Sequence, residues 1–434
     1  MNKGAESTMK KYTEMSREEL LAEQSAVKAQ YDAYKAEGLN LNMARGKPSK
    51  EQEKVSLPVL DVLNSKSDFS NDENVDVLNY GNLEGLKECR MFYSDLLGAD
   101  PDKIIIGGNS SLSLMFDYIM QCYAKGASEE TEPWILQGDV KFLCPVPGYD
   151  RHFGILEYMG IDMINVPMTD EGPDMDVVEE LVKDPMVKGM FCVPKYSNPT
   201  GCTYSDDVVR RIAAMDTAAP DFRVIWDNAY CIHDFDEHGD TLLDIIDETV
   251  KAGHPERAVE FASTSKVTFS GSGISVIAAN EPNYSWIKKR LVKQTIGSDK
   301  INQLRHSRYF QNFKGVHRHM MALAAIIKPH FDVVLTKFDE ELDGLGIARW
   351  TKPNGGYFIS LDVMEGCAQR TWDLCKEAGV TLTNCGATFP YGKDPKDENI
   401  RIAPTYPSLE ELAKATDVLM TSIKLACLEK LLAA

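Results

Sequence analysis

An α/β protein is predicted, with a mostly parallel central sheet carrying helices on both faces and a smaller α+β domain. Three observations predict it. Short apolar runs recur between residues 103 and 278, and helical patterns separate most of them. Beyond about Pro282 the chain turns to long charged helices, followed by a new glycine-led strand. Short apolar strands alternating with helices form parallel sheets buried on both faces.

The elements follow in order. Ser16-Arg17-Glu18-Glu19 starts a helix, with Ser16 as N-cap and Glu19 completing a capping box. That helix ends before Gly38, residues 40–43 are extended, and Gly46-Lys47-Pro48 turns the chain. A short helix covers 58–63, and a longer amphipathic one covers 84–97, closed by Gly98. Residues 103–106 form the first apolar strand, and Gly107-Gly108-Asn109-Ser110-Ser111 leads into a helix reaching Tyr123. A strand at 141–144 precedes a Pro/Gly turn and a helix through Met159. Further strands fall at 162–166, 189–193, 223–226, 259–262 and 275–278, with a helix over 205–215. Segments 284–296 and 301–342 are helical, 355–361 opens the smaller unit, and a helix over 408–432 closes it. The expected division is an N-terminal helix and arm at 1–60, joining the small domain, a large domain at 61–315 and the small α+β domain at 316–434.

The chain has 47 Lys+Arg against 66 Asp+Glu, a formal charge of −19 over 434 residues. An acidic surface of this kind argues against nucleic acid as a partner. A small anionic substrate stays compatible, because it responds to a local pocket. No run of about 18 apolar residues occurs, so no membrane span is expected. Residues 1–11 are polar without an apolar stretch behind them, which argues against a secretory signal. The ten cysteines are scattered singly, with neither Cys-x-x-Cys nor zinc-ligand spacing. Buried reduced thiols in a cytoplasmic protein, and no metal site, are the expectation.

Three polar motifs stand at three strand ends. Ser263-Thr264-Ser265-Lys266 follows one strand, Asp227-Asn228-Ala229-Tyr230 another, and Asn198-Pro199-Thr200-Gly201 a third. Carboxyl ends of parallel strands are where open α/β sheets assemble ligand sites. A desolvated lysine is a natural nucleophile toward a carbonyl compound. A carboxylate aimed at a heteroaromatic nitrogen can keep it protonated, making the ring an electron sink. Hydroxyls and amides at a glycine-rich helix start can hold a phosphate. Together these requirements describe pyridoxal 5′-phosphate. Gly271-x-Gly273 is no dinucleotide fingerprint, because Val276 stands where a third glycine belongs. His317 and His319, two apart, diverge on a helix and read as surface.

Two further kinds of motif join these: Met43-Ala44-Arg45-Gly46-Lys47-Pro48-Ser49 with Asn79-Tyr80-Gly81-Asn82-Leu83-Glu84-Gly85, and Asn399-Ile400-Arg401-Ile402. From about Asn40 to the C-terminus the chain resembles fold-type I pyridoxal-phosphate-dependent aminotransferases. It is most similar to the MocR-type aminotransferase-domain family containing the subgroup Ic aspartate aminotransferases. The resemblance implies that Lys266 is the Schiff-base lysine and proton shuttle, and that Asp227 partners the pyridine nitrogen. It implies that Tyr230 and Asn198 hydrogen-bond the cofactor's phenolic oxygen and that Tyr149 stacks on its ring. Asn109, Ser110 and Ser111 would cup the phosphate, with Ser263 and Ser265 as further cofactor contacts. Tyr80 would reach the phosphate of a neighbouring subunit, so a homodimer with shared active sites is implied. Arg401 would fork onto the substrate α-carboxylate, a task suited to a guanidinium. Arg45 and Gly46 would line the substrate side, with Lys47, Arg305 and Arg308 competing with Arg45 for a distal carboxylate.

One departure stands out. Many relatives carry a phosphate-binding arginine eight residues after the lysine, where this chain has Ile274. Ser270 to Ile274 offers hydroxyls and amides instead, a pattern similar to subgroup Ic. The implied function is ping-pong transfer of an amino group from an amino acid, L-aspartate first, to a 2-oxo acid, 2-oxoglutarate first. The alternatives are β-elimination or decarboxylation with the same cofactor, and a cofactor-sensing regulator. The acidic charge and the roughly forty residues ahead of the match weigh against the last.

Overall fold

A computed structural model describes residues 10–71 and 73–433; of the polar segment 1–11, residues 1–9 lie outside them. The expected capping box opens α1 (Arg17–Ala36): the Ser16 hydroxyl accepts from Glu19 N–H at 3.2 Å, and the Glu19 carboxylate accepts from Ser16 N–H. Leu20, Val27 and Tyr31 form its buried face. β1 (Leu41–Asn42) follows, then α2 (Lys50–Ser56), a helix the sequence reading missed. Its signal was present, since Ser49 and Gln52 form a second capping box. α3 (Lys87–Leu97) ends at Gly98, whose φ of 77° is the left-handed cap expected there.

The central sheet comprises β2 (Ile104–Ile106), β3 (Lys141–Val146), β4 (Asp162–Thr169), β5 (Gly172–Pro173), β6 (Val187–Cys192), β7 (Arg223–Asp227), β8 (Ala258–Ser263) and β9 (Ser275–Ala279). Between them run α4 (Ser111–Lys125), α5 (Asp150–Met159), α6 (Met175–Leu181), α7 (Asp206–Ala214) and α8 (Ile245–Lys251). Strand order is β2-β9-β8-β7-β6-β3-β4-β5. β4, β3, β6, β7 and β8 are mutually parallel, whereas β9 runs antiparallel to both neighbours. The reversal has a simple cause. Residues 264–274 are too few for the crossover helix that a parallel return needs. Every residue of β6, β7 and β9 is buried, Lys188 and Arg223 among them, as a sheet covered on both faces requires.

From β3 the chain moves first to β4 on one side and then to β6, β7 and β8 on the other. That reversal of direction is the switch point at which such sheets open a crevice. The motifs at Tyr149, Asn198, Asp227 and Lys266 all leave strand ends around it.

Beyond the sheet come α9 (Asn283–Gln294), α10 (Lys300–Phe310) and α11 (Phe313–Glu341). The single helical run expected over 301–342 is broken at Gln311, whose φ is 64°, and Asn312 caps α11 through Gly315 N–H. β10 (Ala348–Trp350), β11 (Ile359–Val363), α12 (Ala368–Glu377), β12 (Val380–Thr381), β13 (Asn399–Ile402) and α13 (Leu409–Ala433) complete the chain. β10, β11 and β13 form an antiparallel sheet, β12 pairs with β1, and α1 lies along α13. The chain ends therefore meet in one unit. The strand expected from Gly355 starts only at Ile359. Gly355 and Gly356 pass against Tyr196, where an added Cβ would come within 2.4 and 2.8 Å.

All ten cysteines are free, seven of them buried. His319 corrects the surface reading: it is 6% exposed, with Nε2 2.8 Å from the Val267 carbonyl, and burial lowers its pKa. Among the described residues, no helix is long and apolar enough to cross a membrane.

Candidate active site

Asp227 is the last residue of β7 and is 3% exposed. Its Oδ2 lies 2.9 Å from Nε2 of His152 on α5, and the His152 ring stacks on Phe191 with centroids 4.2 Å apart. Its Oδ1 is buried without a partner. Buried acceptors are normally satisfied, so this oxygen marks a place for an N–H donor absent from the chain itself. Sequence reasoning missed His152. Its only signal was its place one turn after Tyr149, because its partner lies 75 residues away in the chain.

β8 ends at Ser263, and the turn that follows presents Lys266 with Nζ 4.9 Å from the centroid of the Tyr230 ring. Tyr230 is buried. Burial raises its pKa most, Asp227 adds to the rise, and Arg401 opposes it. Burial likewise raises Tyr149, with Lys266 opposing. The charges these hydroxyls feel place Asp227, Lys266, Tyr149, Tyr230 and Arg401 in one cluster. Beneath it His233 sits edge-on to Tyr230 and Tyr357, with centroids 5.5 and 5.7 Å away. Burial, then Lys266 and Lys195, lower the His233 pKa to about 3, so this imidazole is neutral.

The Gly107–Ser111 loop enters α4, a helix of 15 residues. An added Cβ on Gly107 would stand 2.7 Å from Ser275 Oγ, so the loop lies tight against β9. Ser110 is the N-cap, yet its hydroxyl makes no cap bond. The first-turn N–H groups of α4 therefore lack a side-chain acceptor, which is how a helix start receives an anion. Ser265 Oγ donates to the Asn109 carbonyl at 2.5 Å, and Asn109 Nδ2 donates to the Ser270 carbonyl at 3.3 Å. Ser263 pairs with Ser275 in the β8–β9 register. Ile274 belongs to the core, at 2% exposed, with its carbonyl accepting from Tyr93. Arg305 reaches this loop from α10, donating from Nη2 to Ser272 Oγ at 3.1 Å. Arg308 is committed elsewhere, to the carbonyls of Asp68 and Ser70. Tyr80 is 83% exposed and does not join the cluster of its own chain; the carbonyls of Asn79 and Gly81 on either side of it hold Lys300.

Arg401 enters from β13, opposite Ser360 on β11. Its Nη1 donates to Asp150 Oδ1 at 3.0 Å and to Asn198 Oδ1 at 3.3 Å, and Nη2 reaches Thr383 Oγ1 at 3.4 Å. The guanidinium lies over the Phe358 ring at 5.1 Å, and Gly46 lets the chain pass that ring, where a Cβ would stand 2.2 Å from it. Arg45 is exposed, and Lys47 Nζ sits 4.2 Å above the Tyr406 ring. A cleft of about 1010 Å³ opens beside Thr200, Gly201, Trp350 and Asp362 and is lined by neither Lys266 nor Arg401.

The family model described as "Aspartate amino-transferase" matches residues 15–434. An aspartate aminotransferase of Corynebacterium glutamicum is 46% identical over 403 residues, covering 93% of each chain. The crystal structure of an aspartate transaminase from the same species superposes with a TM-score of 0.95 at 44% identity, covering 98% of this chain and 100% of that one. LysN from Thermus thermophilus, an α-aminoadipate aminotransferase complexed with N-(5′-phosphopyridoxyl)-L-leucine, shares the fold at 21% identity and a TM-score of 0.71, covering 96% of this chain and 100% of that one. The chain belongs to the aspartate amino-transferase family.

Proposed function

We propose that the protein is a pyridoxal 5′-phosphate-dependent aminotransferase that moves the amino group of L-aspartate to 2-oxoglutarate, working as a homodimer and belonging to subgroup Ic. The observation that carries this reading is the unpartnered Oδ1 of buried Asp227, set in one cluster with Lys266 and Arg401. The names of the relatives support the choice of aspartate, and Ile274 supports the subgroup.

The residues fit the cofactor. When bound, it supplies an aldehyde for an amine and a ring that accepts electrons. Asp227 Oδ1 would accept from the ring N–H, with His152 fixing the carboxylate from its other oxygen. Tyr230, held protonated by burial, would donate toward the phenolic oxygen beside Asn198. The start of α4, with Asn109, Ser110, Ser111, Ser263 and Ser265, would take the phosphate. Tyr149 would cover the ring. Arg401 orients the substrate carboxylate, with Gly46 and Arg45 on the arm beside it. Lys266 Nζ would hold and move the proton taken from substrate Cα, which is general acid–base catalysis by a positioned amine.

A panel of amino acids against the purified holoenzyme tests the reading, scored by conversion of the cofactor to its amine form. Aspartate giving the fastest conversion, with oxaloacetate and no ammonia or carbon dioxide released, is the expected outcome. Release of ammonia or carbon dioxide would assign β-elimination or decarboxylation instead.

A further inference from the structure

Arg401 already holds a carboxylate. Asp150 Oδ1 stands 3.0 Å from Nη1, and the two side chains are 34% and 10% exposed. Asp150 is the first residue of α5, where the helix dipole favours a negative charge. The pair also joins two distant parts of the chain, β13 and the α5 start.

A substrate carboxylate must find two adjacent N–H groups on the guanidinium to bind as a fork. The outer edge of the guanidinium pairs Nη1 with Nη2, while Nε is buried behind it. Nη2 carries only a 3.4 Å contact to Thr383, whereas Nη1 carries Asp150 and Asn198. Asn198 is neutral and can share the donor. Asp150 is charged and cannot share it cheaply with a second carboxylate, because like charges at one donor repel.

We infer that Asp150 is an internal competitor for the substrate carboxylate at Arg401, and so sets the affinity of the empty site for acids. It keeps a nearly buried guanidinium paired while no substrate is present, which avoids the cost of an isolated desolvated charge. Binding then exchanges one carboxylate for another. Asp150 leaves Nη1 toward solvent as the substrate takes the Nη1–Nη2 edge. This inference rests on the assignment of Arg401 given above.

The test titrates the holoenzyme with succinate, which has two carboxylates but neither amine nor oxo group, and reads the cofactor absorbance. Asp150→Asn keeps the shape and removes the charge. It should tighten succinate on the order of tenfold, the scale of one charged hydrogen bond. The KM values of both amino acid and oxo acid should fall with it, while the saturated rate holds. Succinate bound equally or more weakly by Asp150→Asn would overturn the inference, leaving Asp150 as a simple prop for Arg401. Arg401→Gln separates the two assignments. If it binds succinate like wild type, the role of Arg401 itself fails and the inference falls with it; if it loses binding while Asp150→Asn gains nothing, only the inference fails. A crystal structure of the wild-type holoenzyme with succinate gives a reading free of any folding defect. Asp150 should have left Nη1, and a retained contact of hydrogen-bond length would refute the exchange.

Discussion

Asp227 and Glu260 are buried carboxyl groups on neighbouring strands, and their surroundings hold them in different ways. Asp227 has His152 on one oxygen and an open acceptor on the other. Replacing it with Ala should slow amino transfer on the order of a thousandfold, as loss of a charge-stabilising group at the reacting centre does; a stopped-flow half-reaction with aspartate measures this. Glu260 accepts from Asn228 Nδ2 on one oxygen, has no partner on the other, and is pushed by burial up to about 8. In the unfolded chain it ionises near the ordinary glutamate value. The stability owed to its neutral form is therefore complete below that value and is lost as pH rises through the folded one. Glu260→Gln should raise the thermal midpoint above wild type at about pH 9, and the two should converge at about pH 5. Unfolding scans at both pH values check the sign. At this scale, Lys266, Asp227 and Arg401 were legible because each sits in a compact motif at a strand end or in a strand. His152 and Asp150 were not, because each has meaning only through a partner far away in the chain.

At the level of elements, local chemistry predicted starts better than breaks. The Ser16 box and the Gly98 cap were readable because each needs only a few adjacent residues. Ser16→Ala should cost about 1 kcal/mol of stability, seen in chemical denaturation, with the aspartate half-reaction unchanged. The break at Gln311 had only the Asn312 N-cap as a local signal, and a positive φ at a non-glycine residue is uncommon. The late start of β11 has its origin in packing. Gly355 and Gly356 look like the head of a strand, yet Tyr196 packs where their side chains would be. The antiparallel course of β9 was in principle readable, because the eleven residues from 264 to 274 leave no room for a crossover.

Across the whole molecule, the alternation of strands and helices gave the layered sheet, and the strand order then places four motifs at one switch point. The convergence of β13 and the arm on the same crevice depends on the chain ends meeting through β1–β12 and α1–α13. Tyr80, 83% exposed in its own chain, carries the prediction for assembly. Mixing inactive Lys266→Ala with a weakened Tyr80→Ala variant under exchange conditions should restore activity above the sum of the two. In hybrid dimers one of the two sites then draws intact Lys266 and Tyr80 from different chains; a strictly additive mixture would refute shared sites. The most direct measurement of the central claim is borohydride reduction of the holoenzyme followed by peptide mapping. The cofactor should be found fixed to the peptide carrying Lys266, and a label on another lysine, or on none, would contradict the account.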